Sequence, residues 1–124
     1  GAYILKDGST APRVVIIATG SEVGIALDAQ IALEAEGIAT RVVSAPCLEW
    51  FNEETESYRS SVIPTTALRV SVEAGIAQGW REYVGDKGIV ISLDHFGASA
   101  GAAKLFAEFG FNAERIVGEI KKAL

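Results

Sequence analysis

The chain has 124 residues, 49% of them apolar and 22% charged, with a formal net charge of −5. That size supports one domain with one core. Its 11 basic residues are scattered singly apart from Lys121-Lys122, which argues against a nucleic-acid surface, and no apolar run reaches bilayer length, which argues against a membrane partner.

Along the chain, Tyr3 to Leu5 reads as a short edge strand ahead of the turn-forming Asp7-Gly8-Ser9. Arg13 to Thr19 is a continuous apolar strand of the kind covered on both faces in a parallel sheet. A helix is predicted from Ser21 to Glu36, with Val23, Ala26, Leu27 and Ile31 along its apolar stripe and Gly37 closing it in the left-handed conformation. Thr40 to Ser44 is the next strand, ended by Pro46. Asn52 is placed as the cap of a helix whose first turn carries Glu53 and Glu54, and Pro64 stops that helix. In "ALRVSVE", Leu68, Val70 and Val72 alternate with Arg69, Ser71 and Glu73, so one face of this strand is expected to be the more polar. A short helix around Trp80 to Val84 leads to a strand from Ile89 to Leu93. Ser99 caps a helix carrying Leu105, Phe106 and Phe109, ended by Gly110. Asn112 caps the last helix, where Ile116, Val117, Ile120 and Leu124 form one stripe. This alternation predicts an α/β fold: a three-layer α/β/α sandwich of about five mostly parallel strands with one antiparallel edge strand.

The turn Thr19-Gly20-Ser21-Glu22 invites comparison with phosphate-binding loops. A dinucleotide fingerprint needs G-x-G-x-x-G, so that the backbone can approach the pyrophosphate, and an acid after the second strand. Here the turn continues Gly20-Ser21-Glu22-Val23-Gly24 and the second strand ends in Ser44. There is no Gly-Lys-Ser/Thr triplet, and the spacing is not that of a hydrolase elbow. Thr19-x-x-Glu22 instead matches a capping box, which is a structural role. Free amides at the helix start leave Thr19, Gly20 and Ser21 as a weak anion site, opposed by the neighbouring Glu22.

Ligands of parallel α/β sheets gather at the carboxyl ends of the strands, where Ser21, Ser44, Glu73 and the pair Asp94-His95 stand. A trio of Ser21, His95 and Glu73 has the residue types of a nucleophile, base and orienting acid, but nothing in the spacing supports it. Cys47, the single cysteine, excludes an internal disulfide and reads as a small core residue in a cytoplasmic domain. Trp50, Phe51, Tyr58, Trp80 and Tyr83 read as core or contact residues of a docking face. Glu34, Glu36, Glu114 and Glu119 read as solvated helix faces and not as a metal-binding loop.

The phrases "GAYIL", "IIATGSEV", "RVVSAPCLEWF", "YRSSVIP", "RVSVEAGIAQGWREYVG" and "FGASA" with "LFAEFGF", in this order and spacing, resemble the C-terminal domain of the transketolases from Gly1 almost to Leu124. Gly101 departs from the pattern, since many members have proline there. The resemblance implies transfer of a two-carbon ketol unit from a ketose phosphate to an aldose phosphate. It also implies thiamine diphosphate, a divalent metal such as Mg²⁺, and a homodimer of three-domain chains. The cofactor then lies between the first two domains, so this third domain is assigned no catalytic, cofactor-binding or metal residue. In keeping with that, the sequence holds no Gly-Asp-Gly segment followed by an asparagine. Residues 1–124 are expected to form a single domain, a fragment of a longer chain, whose partners are the other two domains and the second subunit. Two other readings stay open: a regulatory small-anion-binding module, and the terminal domain of a related thiamine enzyme such as a dihydroxyacetone synthase.

Overall fold

A computed structural model of the chain describes residues 2–8, 10–19, 22–45, 51–73, 81–85, 87–92 and 112–124. Among the described residues, β1 (Tyr3–Lys6), β2 (Val14–Ala18), β3 (Thr40–Ser44), β4 (Leu68–Glu73) and β5 (Ile89–Ser92) form one sheet in the order β1-β3-β2-β4-β5. β3, β2, β4 and β5 run parallel, and β1 lies antiparallel against β3 at the edge, as expected. The helices are α1 (Glu22–Ala35), α2 (Glu56–Val62), α3 (Arg81–Val84) and α4 (Ala113–Ala123). The helix predicted between Ser99 and Gly110 lies outside the described residues, as do Pro46, Cys47, Trp50 and Trp80.

Alternate side chains of a strand point to opposite faces, and this divides the core in two. Val14, Ile16 and Ala18 of β2, Val42 of β3 and Val70 and Val72 of β4 pack with α1 and with Ile116 and Ile120 of α4. Val15 and Ile17 of β2 and Val43 of β3 pack on the other side with Phe51, Val62 and Ile63 around α2 and with Val84 of α3. All five residues of β2 are buried, as a strand with both faces and both edges covered must be. On β4 the more polar face is a covered one: Ser71 is only 1% exposed beneath the second helical layer.

α1 also departs from its predicted stripe. Ala26 is buried, but the buried face continues through Ala29, Gln30 and Leu33, whereas Ile31 is 61% exposed. Apolar residues occur around most of this helix, so periodicity alone could not locate the side that meets the sheet. Its end is as read: Gly37 has φ +79°, Gly37 N–H donates to the Glu34 carbonyl, and Ile38 N–H reaches back to Leu33. That paired bonding satisfies carbonyls the helix would otherwise leave open.

The cap of α2 is Thr55 rather than Asn52; its hydroxyl accepts from the Tyr58 amide at 3.1 Å. Asn52 is exposed and accepts from the Tyr83 hydroxyl at 2.9 Å. Both residues precede acids, so Glu56 supplies to the first turn of α2 the charge expected of Glu53 and Glu54. Asn112 caps α4 as predicted, accepting from Arg115 N at 2.9 Å.

A bulge in β1 shapes the sheet edge. Ile4 faces Val43 while Lys6 faces Val42, so one extra residue, Leu5, makes β1 leave β3 before Thr40. Two side chains one turn apart on α1 then stand in for the missing strand. Gln30 Nε2 donates to the Thr40 carbonyl at 2.9 Å, and Thr40 N–H donates to Glu34 Oε2 at 2.9 Å. Gln30 also donates to the Lys6 carbonyl at 3.0 Å, so one buried amide joins the helix to β1 and β3.

Beyond the bulge, Arg41 donates through Nε and Nη2 to both oxygens of Asp7, and through Nη1 to the carbonyls of Ser61 and Val62 at the end of α2. The hydrogen bond from Arg41 holds the Asp7 carboxyl below the usual carboxylate range; partial burial opposes it and the Gly8 amide reinforces it. A lowered folded-state pKa gives stability that is present above the unfolded value, about 3.9, and lost as pH falls through the folded value. Asp7 is 46% exposed, so solvent screening keeps the contribution below about 1 kcal/mol. Urea midpoints followed down through the acid range should therefore fall less steeply in Asp7→Asn than in the parent; an unchanged acid limb would contradict this assignment.

Candidate functional site

The register brings the carboxyl ends of the strands level. Ala18 of β2 pairs with Ser44 of β3 and with Val72 of β4, and Glu73 pairs with Ser92 of β5. Ala45 N–H donates to the Ala18 carbonyl at 2.9 Å, which fixes where the chain leaves β3. Thr19 follows directly after β2 and is half-buried. The rest of the sequence-predicted group is not in view: Gly20, Ser21, Cys47, Asp94 and His95 lie outside the described residues. Of the residues named for this end of the sheet, the structure places Thr19, Ser44 and the backbone of Glu73.

Glu22 is 6% exposed at the start of α1, and its N–H donates to the Thr19 carbonyl at 3.1 Å. The link between Glu22 and Thr19 is a backbone turn at the start of α1. A carboxylate in the first turn complements the helix dipole and competes with any anion for the same positive end.

A second group of polar residues was not legible in the sequence. On the α2–α3 side of the sheet, beside the start of β4, a cleft of about 230 Å³ is lined by Arg59, Arg69, Ser60, Thr65, Phe51 and Tyr83, with Asn52, Glu56 and Ile63 completing its wall. Arg59 and Arg69 are ten positions apart and belong to different elements, so no local motif announces them. The available signal was the β4 alternation, which puts Arg69 on the same face as Ser71.

The described residues do not fit a metal-bridged diphosphate. Among them, no group of three or more His, Cys, Asp and Glu side chains could hold a metal ion. Asp7 is committed to Arg41, and Glu34 accepts from the Thr40 amide.

Comparison with known proteins follows the fold and not this end of the sheet alone. Residues 1–112 match the family described as the transketolase-like TK C-terminal domain. The chain is 46% identical over 130 residues to a transketolase of Mycobacterium tuberculosis, covering all of this chain and 19% of that protein. It is 49% identical over 125 residues to transketolase 2 of Escherichia coli, with the same coverage of 100% and 19%. The transketolase structure from Leishmania mexicana superimposes with a TM-score of 0.88 at 38% identity, covering 99% of this chain and 18% of that one. The chain therefore spans about a fifth of the length of the curated relatives it matches. A mixed five-stranded sheet of this order, agreement with solved transketolases along almost its whole length, and the family match together make this chain a member of the transketolase C-terminal domain family.

Proposed function

We propose that the chain acts as the third domain of a transketolase, in a protein that transfers a two-carbon ketol unit from ketose phosphates to aldose phosphates. The observation that carries this reading is the pairing of full coverage here with about a fifth of each relative, at 46% and 49% identity. Thiamine diphosphate and a divalent metal belong, in this reading, to the two other domains, since the described residues do not fit them.

The domain's own part is structural: it docks on the rest of its chain and on a second subunit of a cytoplasmic homodimer. Its sheet edge, unpaired among the described residues, supports docking, because β1 presents Tyr3, Ile4 and Leu5 at 48%, 37% and 40% exposure. Three neighbouring apolar residues on an open edge are a surface that a partner would cover. No described helix is long and apolar enough to cross a membrane.

The coding sequence upstream provides the test. It should encode two further domains carrying a Gly-Asp-Gly segment followed by an asparagine at metal-binding distance. In calorimetry, the 124-residue chain should give no saturable heat with thiamine diphosphate and Mg²⁺. An upstream sequence without that segment, or saturable cofactor binding by this chain, would sink the reading.

A further inference from the structure

We propose that the cleft between α2 and the start of β4 binds a phosphate group, free or as a small monoester, through Arg59 and Arg69. The first support is electrostatic. Nε of Arg59 and Nε of Arg69 are both buried without a hydrogen-bond partner. Arg69 has one further group engaged, Nη1 donating to the Tyr83 carbonyl at 3.2 Å. Arg59 shows no side-chain hydrogen bond or ion pair among the described residues. Removing a guanidinium nitrogen from water without a partner costs free energy. Both residues also line one cleft, where an anion would meet two guanidinium groups.

The second support is shape and donor chemistry. The guanidinium fork matches phosphate and carboxylate oxygens in paired hydrogen bonds. Ser60 and Thr65 add two hydroxyls to the same cleft. Two guanidinium groups and two hydroxyls offer more donors than the two coplanar oxygens of a carboxylate can take, whereas a phosphate monoester presents three terminal oxygens. A volume of about 230 Å³ compares with about 30 Å³ for each water in the liquid, which leaves room for a phosphate and a short carbon chain. Thr65 and Arg69 also line an adjoining cleft that carries Lys87, so a further cation stands close by.

One group opposes binding. Glu56 is the acid of the cleft wall, exposed and therefore partly screened by salt. It supplies a direction that a purely structural arginine pair would not show: Glu56→Gln should tighten phosphate binding, while Arg59→Gln should weaken it about tenfold or more. Arg59→Gln removes a guanidinium with no side-chain partner among the described residues, so the fold should survive it.

The measurement is an NMR titration of the 124-residue chain that follows the arginine Nε–Hε signals. The ligands are inorganic phosphate, glycerol 3-phosphate, acetate and glycerol. Arg59 and Arg69 should shift saturably with the two phosphates and not with acetate or glycerol. Tighter binding of glycerol 3-phosphate marks an ester as the preferred source, and equal or tighter binding of inorganic phosphate marks the free ion. Absence of saturable shifts with both phosphates, an equal response to acetate, or unchanged affinity in Arg59→Gln overturns the proposal.

Discussion

Leu33→Ala is expected to lower the unfolding free energy by about 2–5 kcal/mol. Leu33 is fully buried in the core that α1 and α4 form on the sheet, so truncation loses the transfer free energy of its methyl groups and leaves a cavity the sheet cannot fill. Its carbonyl also receives the Glu36 and Ile38 amides, so the side chain anchors the turn that closes α1. Small domains are stable by only about 5–15 kcal/mol, which makes this a large fraction of the total. Urea denaturation would show a lower midpoint at an unchanged slope. Ile31→Ala, two positions away but on the exposed side, should change stability by no more than about 0.5 kcal/mol. A larger loss at Ile31 than at Leu33 would overturn the assignment of the buried face.

The second large effect falls on Gln30. Replacing it by glutamate keeps the shape and removes both donors, so a buried carboxylate would face the carbonyls of Lys6 and Thr40. An uncompensated buried charge of this kind costs about 3–5 kcal/mol near neutral pH. Burial and the two carbonyls favour the protonated acid, so the folded-state pKa of the new carboxyl rises above its unfolded value. The deficit is then smallest below the unfolded value and grows as pH rises toward the folded one. The parent behaves in the opposite sense at Asp7, whose contribution fades in acid. Urea midpoints of Gln30→Glu and the parent should therefore converge as pH is lowered to about 4. A constant gap across that range would mean that the amide donors are not what matters at Gln30.

These two residues also show how far the sequence could be read. The five described strands were legible because short runs rich in β-branched residues, such as "VVII", bounded by turn residues, fit a pleated sheet better than a helix. Gly37, Pro64 and Asn112 punctuated the helices for reasons local to each residue. The face of α1 was not legible, because a glutamine and a glutamate sit where the edge strand falls short, and their value depends on a bulge far back along the chain at Leu5. The cap of α2 was misplaced between Asn52 and Thr55, since both are cap residues followed by acids and only packing chooses between them. At the carboxyl ends, Thr19 and Ser44 stand where the strand pattern put them. The arginine cleft was hidden, because its two cations come together through the register of β4 and the return of α2.

The strand order carries a consequence for how the chain reaches this structure. β1 comes first in sequence, yet its partner in the sheet is β3, not β2. Between them the whole of β2 and α1 must be made. A chain emerging from the ribosome thus holds Tyr3, Ile4 and Leu5 unpaired until the segment through Ser44 has left the exit tunnel. Until then an apolar stretch of backbone is open to capture by any other free strand edge, including that of a neighbouring nascent chain. Lys6 and Asp7, the charges that follow it, are the nearest safeguards against that pairing during synthesis.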